Sequence, residues 1–188
     1  MKLIVGLGNP GSQYAQNRHN MGFQCLNYLA KAHGLAYTIK AGKARLATGR
    51  INGHEVALAK PQTFMNLSGE SVASLMARFR LRPADILVVH DDVDLPLGRL
   101  RLRPGGGSGG HRGLESIIRA VGSQDFTRLR VGVGRPLDTG EGELRDYVLS
   151  DFSTDERETL QEVLQRVAET ILVILNDGIA AAMNRYNA

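Results

Sequence analysis

Several stretches of this sequence hold residues whose types and spacing suit chemistry. The first, GLGNPGSQYAQNRHNMGF (residues 6–23), joins three glycines, Gly6, Gly8 and Gly11, to Asn9, Tyr14, His19 and Asn20. Imidazole ordinarily titrates near ~6.5, so His19 can take or give a proton around neutral pH. The second, HDDVD (90–94), brings together Asp91, Asp92 and Asp94, a set suited either to a divalent cation or to capping a turn. The third, GGGSGGHR (105–112), leads into a predicted helix start, where exposed backbone N–H groups suit an anion or a carbonyl oxygen. Arginines alternate at Arg101 and Arg103 and again at Arg128 and Arg130. On strands, each pair projects to one face, and guanidinium matches phosphate in bidentate fashion.

Two familiar signatures are only partial. Gly6-x-Gly8-x-x-Gly11 has the spacing of a dinucleotide-binding turn. That turn also needs a helix opening at the last glycine and an acid about 20 residues on. Pro10 sits inside the turn and no Asp or Glu precedes Glu55, so a nicotinamide cofactor is disfavoured. Ser68, in NLSGE, lacks the G-x-S-x-G frame of a serine-esterase elbow and is predicted to be a helix N-cap. H-E-x-x-H, paired cysteines and G-x-x-x-x-G-K-[ST] are all missing, so no metal or organic cofactor is expected.

The elements that must position these residues follow from patterning. A buried strand is predicted over 2–8 and a helix over 20–33 that stops at Gly34. Alternating segments 44–51 and 54–59 flank Asn52-Gly53, a type I′ hairpin signal. Val72, Leu75, Met76 and Phe79 recur at helical spacing after Ser68. Pro83 ends that helix, and ILVVH (86–90) reads as a buried strand. Strands are also expected at RLRLR and at 128–134, a helix from about His111, a long amphipathic helix over 153–177 and a short one over 179–186. Strands alternating with helices, plus the hairpin, predict a single α/β domain over 1–188 with a mixed, twisted sheet surrounded by helices.

Composition agrees with a soluble domain of one core: 188 residues, 43% hydrophobic and 22% charged. No apolar run approaches the ~20 residues of a membrane-crossing helix, and no signal peptide is visible. The single cysteine, Cys25, fits a reducing compartment. The net charge of +4 is uneven. Lys2, Arg18, Lys31, Lys40, Lys43, Arg45 and Arg50 precede the first acid, while the chain after Pro136 is acidic. A basic surface is an electrostatic footprint for a polyanion and equally a solvated face.

The first stretch, together with KPQTFMNLSGESV (60–72), VVHDDVDLPLG (88–98), GGGSGGHRGLESI (105–117), FTRLRVGVGRP (126–136) and YVLSDF (147–152), resembles the bacterial peptidyl-tRNA hydrolase family. The blocks cover most of the chain in the family's order. The resemblance implies hydrolysis of the ester joining a stalled peptide to the terminal ribose of tRNA, without metal or cofactor. It also implies a tRNA partner, no membrane, and a monomer of the cytoplasm. By resemblance His19 is the general base and Asp91 its partner. Asn9, Tyr14, Met65, Asn66 and His111 bind substrate, and Arg103 and Arg130 grip the tRNA 5′-phosphate. Arg101 and Arg128 are further candidates for phosphate. Two departures stand out: Asn17 replaces the usual threonine, and Arg112 replaces the asparagine usual in H-N-G. Arg112 is therefore assigned to binding the tRNA terminus rather than to catalysis. A non-catalytic RNA-binding relative of the same fold is the competing expectation.

Overall fold

The computed structural model describes residues 1–137 and 140–187. In chain order its elements are β1 (Lys2–Gly6), α1 (Met21–Ala32), β2 (Ile39–Ala41), β3 (Ala44–Ile51), β4 (His54–Pro61), α2 (Ser68–Phe79), β5 (Ile86–Asp92), β6 (Leu100–Arg103), α3 (Arg112–Val121), β7 (Thr127–Gly132), α4 (Glu141–Val148), α5 (Arg157–Asp177) and α6 (Ile179–Tyr186). The strands form one seven-stranded sheet in the order β2-β3-β4-β1-β5-β7-β6. Its centre, β4-β1-β5-β7, is parallel, and its margins are antiparallel. The expected mixed sheet is what forms. Asn52 and Gly53, both at positive φ, make the tight turn between β3 and β4.

Alternation along the strands builds a core on each face. Leu3, Val5, Ala57, Ala59, Ile86 and Val88 pack under Val72 and Leu75 of α2 and Leu114 and Ile117 of α3. Ile4, Leu58, Leu87 and Val89 pack on the other face with Leu26 and Leu29 of α1 and Val163 and Val167 of α5. The central strands are buried on both sides, which is why they read as continuous apolar runs.

The N-terminus of α1 lies directly on the sheet. A Cβ at Gly22 would collide with Leu7 N and Val89 O, the two ends of the Leu7–Val89 hydrogen bond that continues β1 against β5. A Cβ at Gly6 would strike the Gly22 carbonyl, and one at Gly8 would sit 2.7 Å from the Phe23 ring. Two of the three glycines of the G-x-G-x-x-G pattern therefore serve helix-on-strand approach.

Two local expectations change. Ser68 is already inside α2, and its hydroxyl donates back to the Met65 carbonyl at 2.7 Å instead of capping the helix. A 3-10 turn, Met65–Leu67, runs straight into α2, which removes the extended residue that a side-chain cap requires. Helix α4 was not expected. None of its residues is fully buried, and its apolar side, Leu144, Tyr147 and Val148, spans a single turn among acidic residues.

Gly22→Ala should lower thermal stability by about 1–3 kcal/mol through overpacking. Gly142→Ala, in open space on α4, should be neutral or slightly stabilising. Thermal unfolding of the two variants beside the parent checks both.

Candidate active site

A cavity of about 590 Å³ opens at the carboxyl ends of β1, β5 and β7, where ligands of open α/β sheets collect. Asn9, His19, Met65, Asn66, Asp91, Arg103, His111, Arg112 and Arg130 line it. Chain segments more than 100 residues apart thus meet in one place. Tyr14 is not among the lining residues. It closes the Ser12–Tyr14 turn, after which the chain swings out to bridge Asn17 with Asp151 before returning at Arg18–Asn20.

Asp91 is 2% exposed and accepts two imidazole hydrogen bonds. His19 Nδ1 lies 2.8 Å from one oxygen and His111 Nε2 2.8 Å from the other. The tautomers follow from the surroundings. His111 caps α3, and its Nδ1 accepts from the backbone N–H groups of Gly113 at 3.1 Å and Leu114 at 3.3 Å. An acceptor Nδ1 places the proton on Nε2, which donates to Asp91. His19 then donates from Nδ1 to the second oxygen, and its Nε2 lone pair has no partner among the described residues. This second imidazole on Asp91 was missed by the sequence reading, which placed His111 against substrate. The clue was its position at the predicted helix start.

Electrostatics reinforce the arrangement. Burial by itself would raise the Asp91 carboxyl, but the charges and hydrogen bonds of His19 and His111 outweigh it and hold the group well below the usual carboxylate range. For His19, burial acts to lower the pKa and Asp91 acts more strongly to raise it, through charge and hydrogen bond. The Arg112 charge opposes the rise, and the net shift is upward. Wholly buried His90 is pushed down to about 3, by burial and then by His111. It is therefore neutral, and its Nδ1–H donates to the Asp91 carbonyl at 2.7 Å.

The amides are held asymmetrically. Asn9 Oδ1 accepts from Met65 N–H at 2.8 Å, and Asn20 bonds both the N–H and the C=O of Asn9 at 2.9 Å. That leaves the Asn9 side-chain NH₂ as its donor toward the cavity. Asn66 is exposed and has no side-chain hydrogen bond among the described residues.

The basic residues separate by environment. Arg103 and Arg112 are exposed on the cavity wall. Arg130 also lines it, with Nε bonded to Asp92 at 2.6 Å, so its charge is partly neutralised. Arg101 is exposed opposite Arg130 in the sheet and lies outside the lining. Arg128 is 1% exposed and donates to the carbonyls of Gly107 at 3.0 Å and Gln124 at 2.9 Å. The structure thus makes Arg128 a strut for the glycine-rich loop, because its guanidinium points inward beneath that loop. Arg18, not singled out from sequence, is buried beside His19. It donates to Ser150 Oγ, the Asp151 carbonyl and Glu156 Oε1, each at 2.6 Å. These partners follow it by more than 130 residues, so local patterning gave no signal.

The ligand atoms of His19, Asp91 and His111 lie within 4.8 Å of one another, close enough to share a cation. In this arrangement both imidazole nitrogens are already bonded to Asp91. Of the acids once weighed as metal ligands, Asp92 pairs with Arg130 and Asp94 with Arg135.

The chain matches the family described as peptidyl-tRNA hydrolase over residues 3–188. A curated peptidyl-tRNA hydrolase of Dehalococcoides mccartyi is 49% identical over 188 residues, covering both chains completely. One from Chloroflexus aggregans is 50% identical, covering 100% of this chain and 99% of its own. The crystal structure of peptidyl-tRNA hydrolase from Acinetobacter baumannii is similar with a TM-score of 0.93 and 36% identity, covering 100% of this chain and 95% of that one.

NMR titration of the His19 ring should give a midpoint above the ordinary ~6.5. Asp91→Asn removes the raising influence while burial and Arg112 remain, so the midpoint should fall. Arg112→Ala removes a lowering influence, so it should rise.

Proposed function

The chain belongs to the peptidyl-tRNA hydrolase family and hydrolyses the ester between peptide and tRNA in peptidyl-tRNA; we propose that His19 is its general base. The observation that supports this most directly is the free Nε2 of His19, opposite an Nδ1 tied to an ionised Asp91. Water gives its proton to Nε2 as its oxygen attacks the ester carbonyl. Asp91 stabilises the resulting imidazolium and keeps the ring oriented, the role of the carboxylate in a Ser-His-Asp triad. When the tetrahedral intermediate collapses, the C–O bond to the ribose breaks and the departing ribose oxygen recovers the proton from His19. The products are tRNA with its terminal hydroxyl restored and a peptide carboxylic acid, which gives its proton to solvent and leaves as the carboxylate. The amide NH₂ of Asn9 and the amide of Asn66 are the neutral donors available to the ester and its developing oxyanion.

Met65, 4% exposed, walls the pocket rather than reaching far into it. In this reading His111 positions Asp91 instead of binding substrate. Arg103 and the terminal nitrogens of Arg130 grip the tRNA 5′-phosphate, and exposed Arg101 stands beside them as a further contact. Arg112 holds the tRNA terminus. The intact Asp91 cluster favours this catalytic reading over a non-catalytic RNA-binding relative. We also read the chain as a cytoplasmic monomer. Cys25 is buried and unpaired. The large exposed apolar side chains among the described residues are Met1, Phe64, Leu67 and Leu137, and Phe64 belongs to the cavity. Among the described residues no helix is long and apolar enough to cross a membrane.

Release of labelled peptide from peptidyl-tRNA tests the base. His19→Ala should lower kcat by about 10²–10⁴-fold, the usual worth of a positioned base, with tRNA affinity retained. Near-normal kcat would refute the assignment. Because the neutral imidazole is the active form, the parent's rate should climb as pH rises through the His19 midpoint.

Arg112 has donors only and cannot accept a proton from water. Arg112→Ala should therefore raise KM more than it lowers kcat, and Arg112→Asn should stay active. Steady-state kinetics on peptidyl-tRNA separates this from a catalytic role, in which kcat falls at constant KM.

A further inference from the structure

Away from the cavity, three cations stand side by side across three strands. Lys40 on β2 is directly opposite Arg45 on β3, and Arg45 is directly opposite Lys60 on β4. Their side chains share the sheet face that α1 covers, the opposite face from Arg103 and Arg130. Like charges placed opposite one another destabilise a sheet. Among the described residues no carboxylate pairs with any of the three. Protection of a sheet edge accounts for a lysine on the outermost strand, β2. It does not account for Arg45 and Lys60 on the strands inside it. Nor is Lys60 a freely solvated lysine. Its Nζ donates to Asn27 Oδ1 at 2.7 Å and sits 4.1 Å from the centre of the Tyr37 ring. Burial and the neighbouring Arg45 charge lower its pKa.

None of the three lines the cavity, but a chain of contacts leads from the row toward Asn9, which does. Lys60 Nζ is 5.9 Å from the centre of the Phe23 ring, and Phe23 packs on Gly8, next to Asn9. Three strands span roughly 10 Å, wide enough to face more than one phosphate of a nucleic-acid backbone. We propose that Lys40, Arg45 and Lys60 form a second phosphodiester-binding surface, which holds the RNA backbone of the substrate tRNA on the α1 side of the cleft. This rests on the tRNA-linked substrate given above. The ligand removes the mutual repulsion of the row, and binding is driven by counterion release.

The test is a Lys40→Gln/Arg45→Gln double variant, assayed over a salt series on full-length peptidyl-tRNA. A second substrate carries the same peptide ester on the 3′-terminal nucleotide alone. For the full substrate KM should rise several-fold. The log–log salt dependence of kcat/KM should flatten by about 0.9 per lost duplex contact. Hydrolysis of the short substrate should be unchanged, and the thermal midpoint should not fall, because repulsion is relieved. Arg45→Lys should behave like the parent. Unaltered KM and salt slope on full-length tRNA, or an equal loss on both substrates, would overturn the proposal. Failure of the parent to release peptide would instead count against the functional reading itself.

Discussion

The site depends on one steric constraint, the seating of the N-terminus of α1 on the sheet, where at Gly22 only backbone separates them. Gly22 rests over the hydrogen bond from Leu7 N–H to the Val89 carbonyl, where no Cβ fits. His19 precedes Gly22 by three residues, and Asp91 follows Val89 by two. The contact therefore sets the separation of the imidazole and the carboxylate. Arg18 secures the same turn from outside through the Ser150–Glu156 segment. His19 thus lies between α1, seated on backbone at Gly22, and Arg18, which is bonded to the C-terminal segment.

Within that clamp, proton positions are decided by a relay that begins at a helix end. Backbone N–H groups of Gly113 and Leu114 make His111 Nδ1 an acceptor, which forces its proton to Nε2 and toward Asp91. The second Asp91 oxygen remains for His19, which lines the cavity and keeps its Nε2 outside the pair. A buried carboxylate shared by two donors stays ionised although burial opposes its charge. His90, held neutral beside His111, adds no competing positive charge to the cluster.

Arginine has four different uses around the same cleft. Arg18 is an anchor and Arg128 a loop strut, both buried with their terminal nitrogens bonded to backbone or paired groups, while the Nε of each is buried without a partner among the described residues. Arg130 is half committed to Asp92. Arg103 and Arg112 remain open on the wall. A count of basic residues overstates the charge available to an anion here, because the buried guanidiniums are turned to partners inside the protein.

Much of the architecture was legible in the chain. The Asn52-Gly53 turn, the apolar runs at Leu3–Val5 and Ile86–Val89 and the helical spacing of Val72, Leu75, Met76 and Phe79 depend on local periodicity and turn chemistry, which sequence records directly. His19, Asp91, Asn9 and Asn66 could be singled out because their blocks matched a family, and all four line one cavity. What sequence could not settle was long-range. Helix α4 shows only the single-turn apolar pattern of Leu144, Tyr147 and Val148, too short to mark a helix in an acidic stretch. Ser68 looked like a cap until a preceding turn occupied the place a cap needs. Arg128 and Arg130 share a face at period two, yet one is buried and the other is paired, and that depends on which loop folds over each. The second imidazole on Asp91 and the anchoring of Arg18 join residues 20 and more than 130 positions apart. Patterning determines which face of an element is apolar; only the packed fold decides which polar groups lose water, and those groups must then find their partners across the chain.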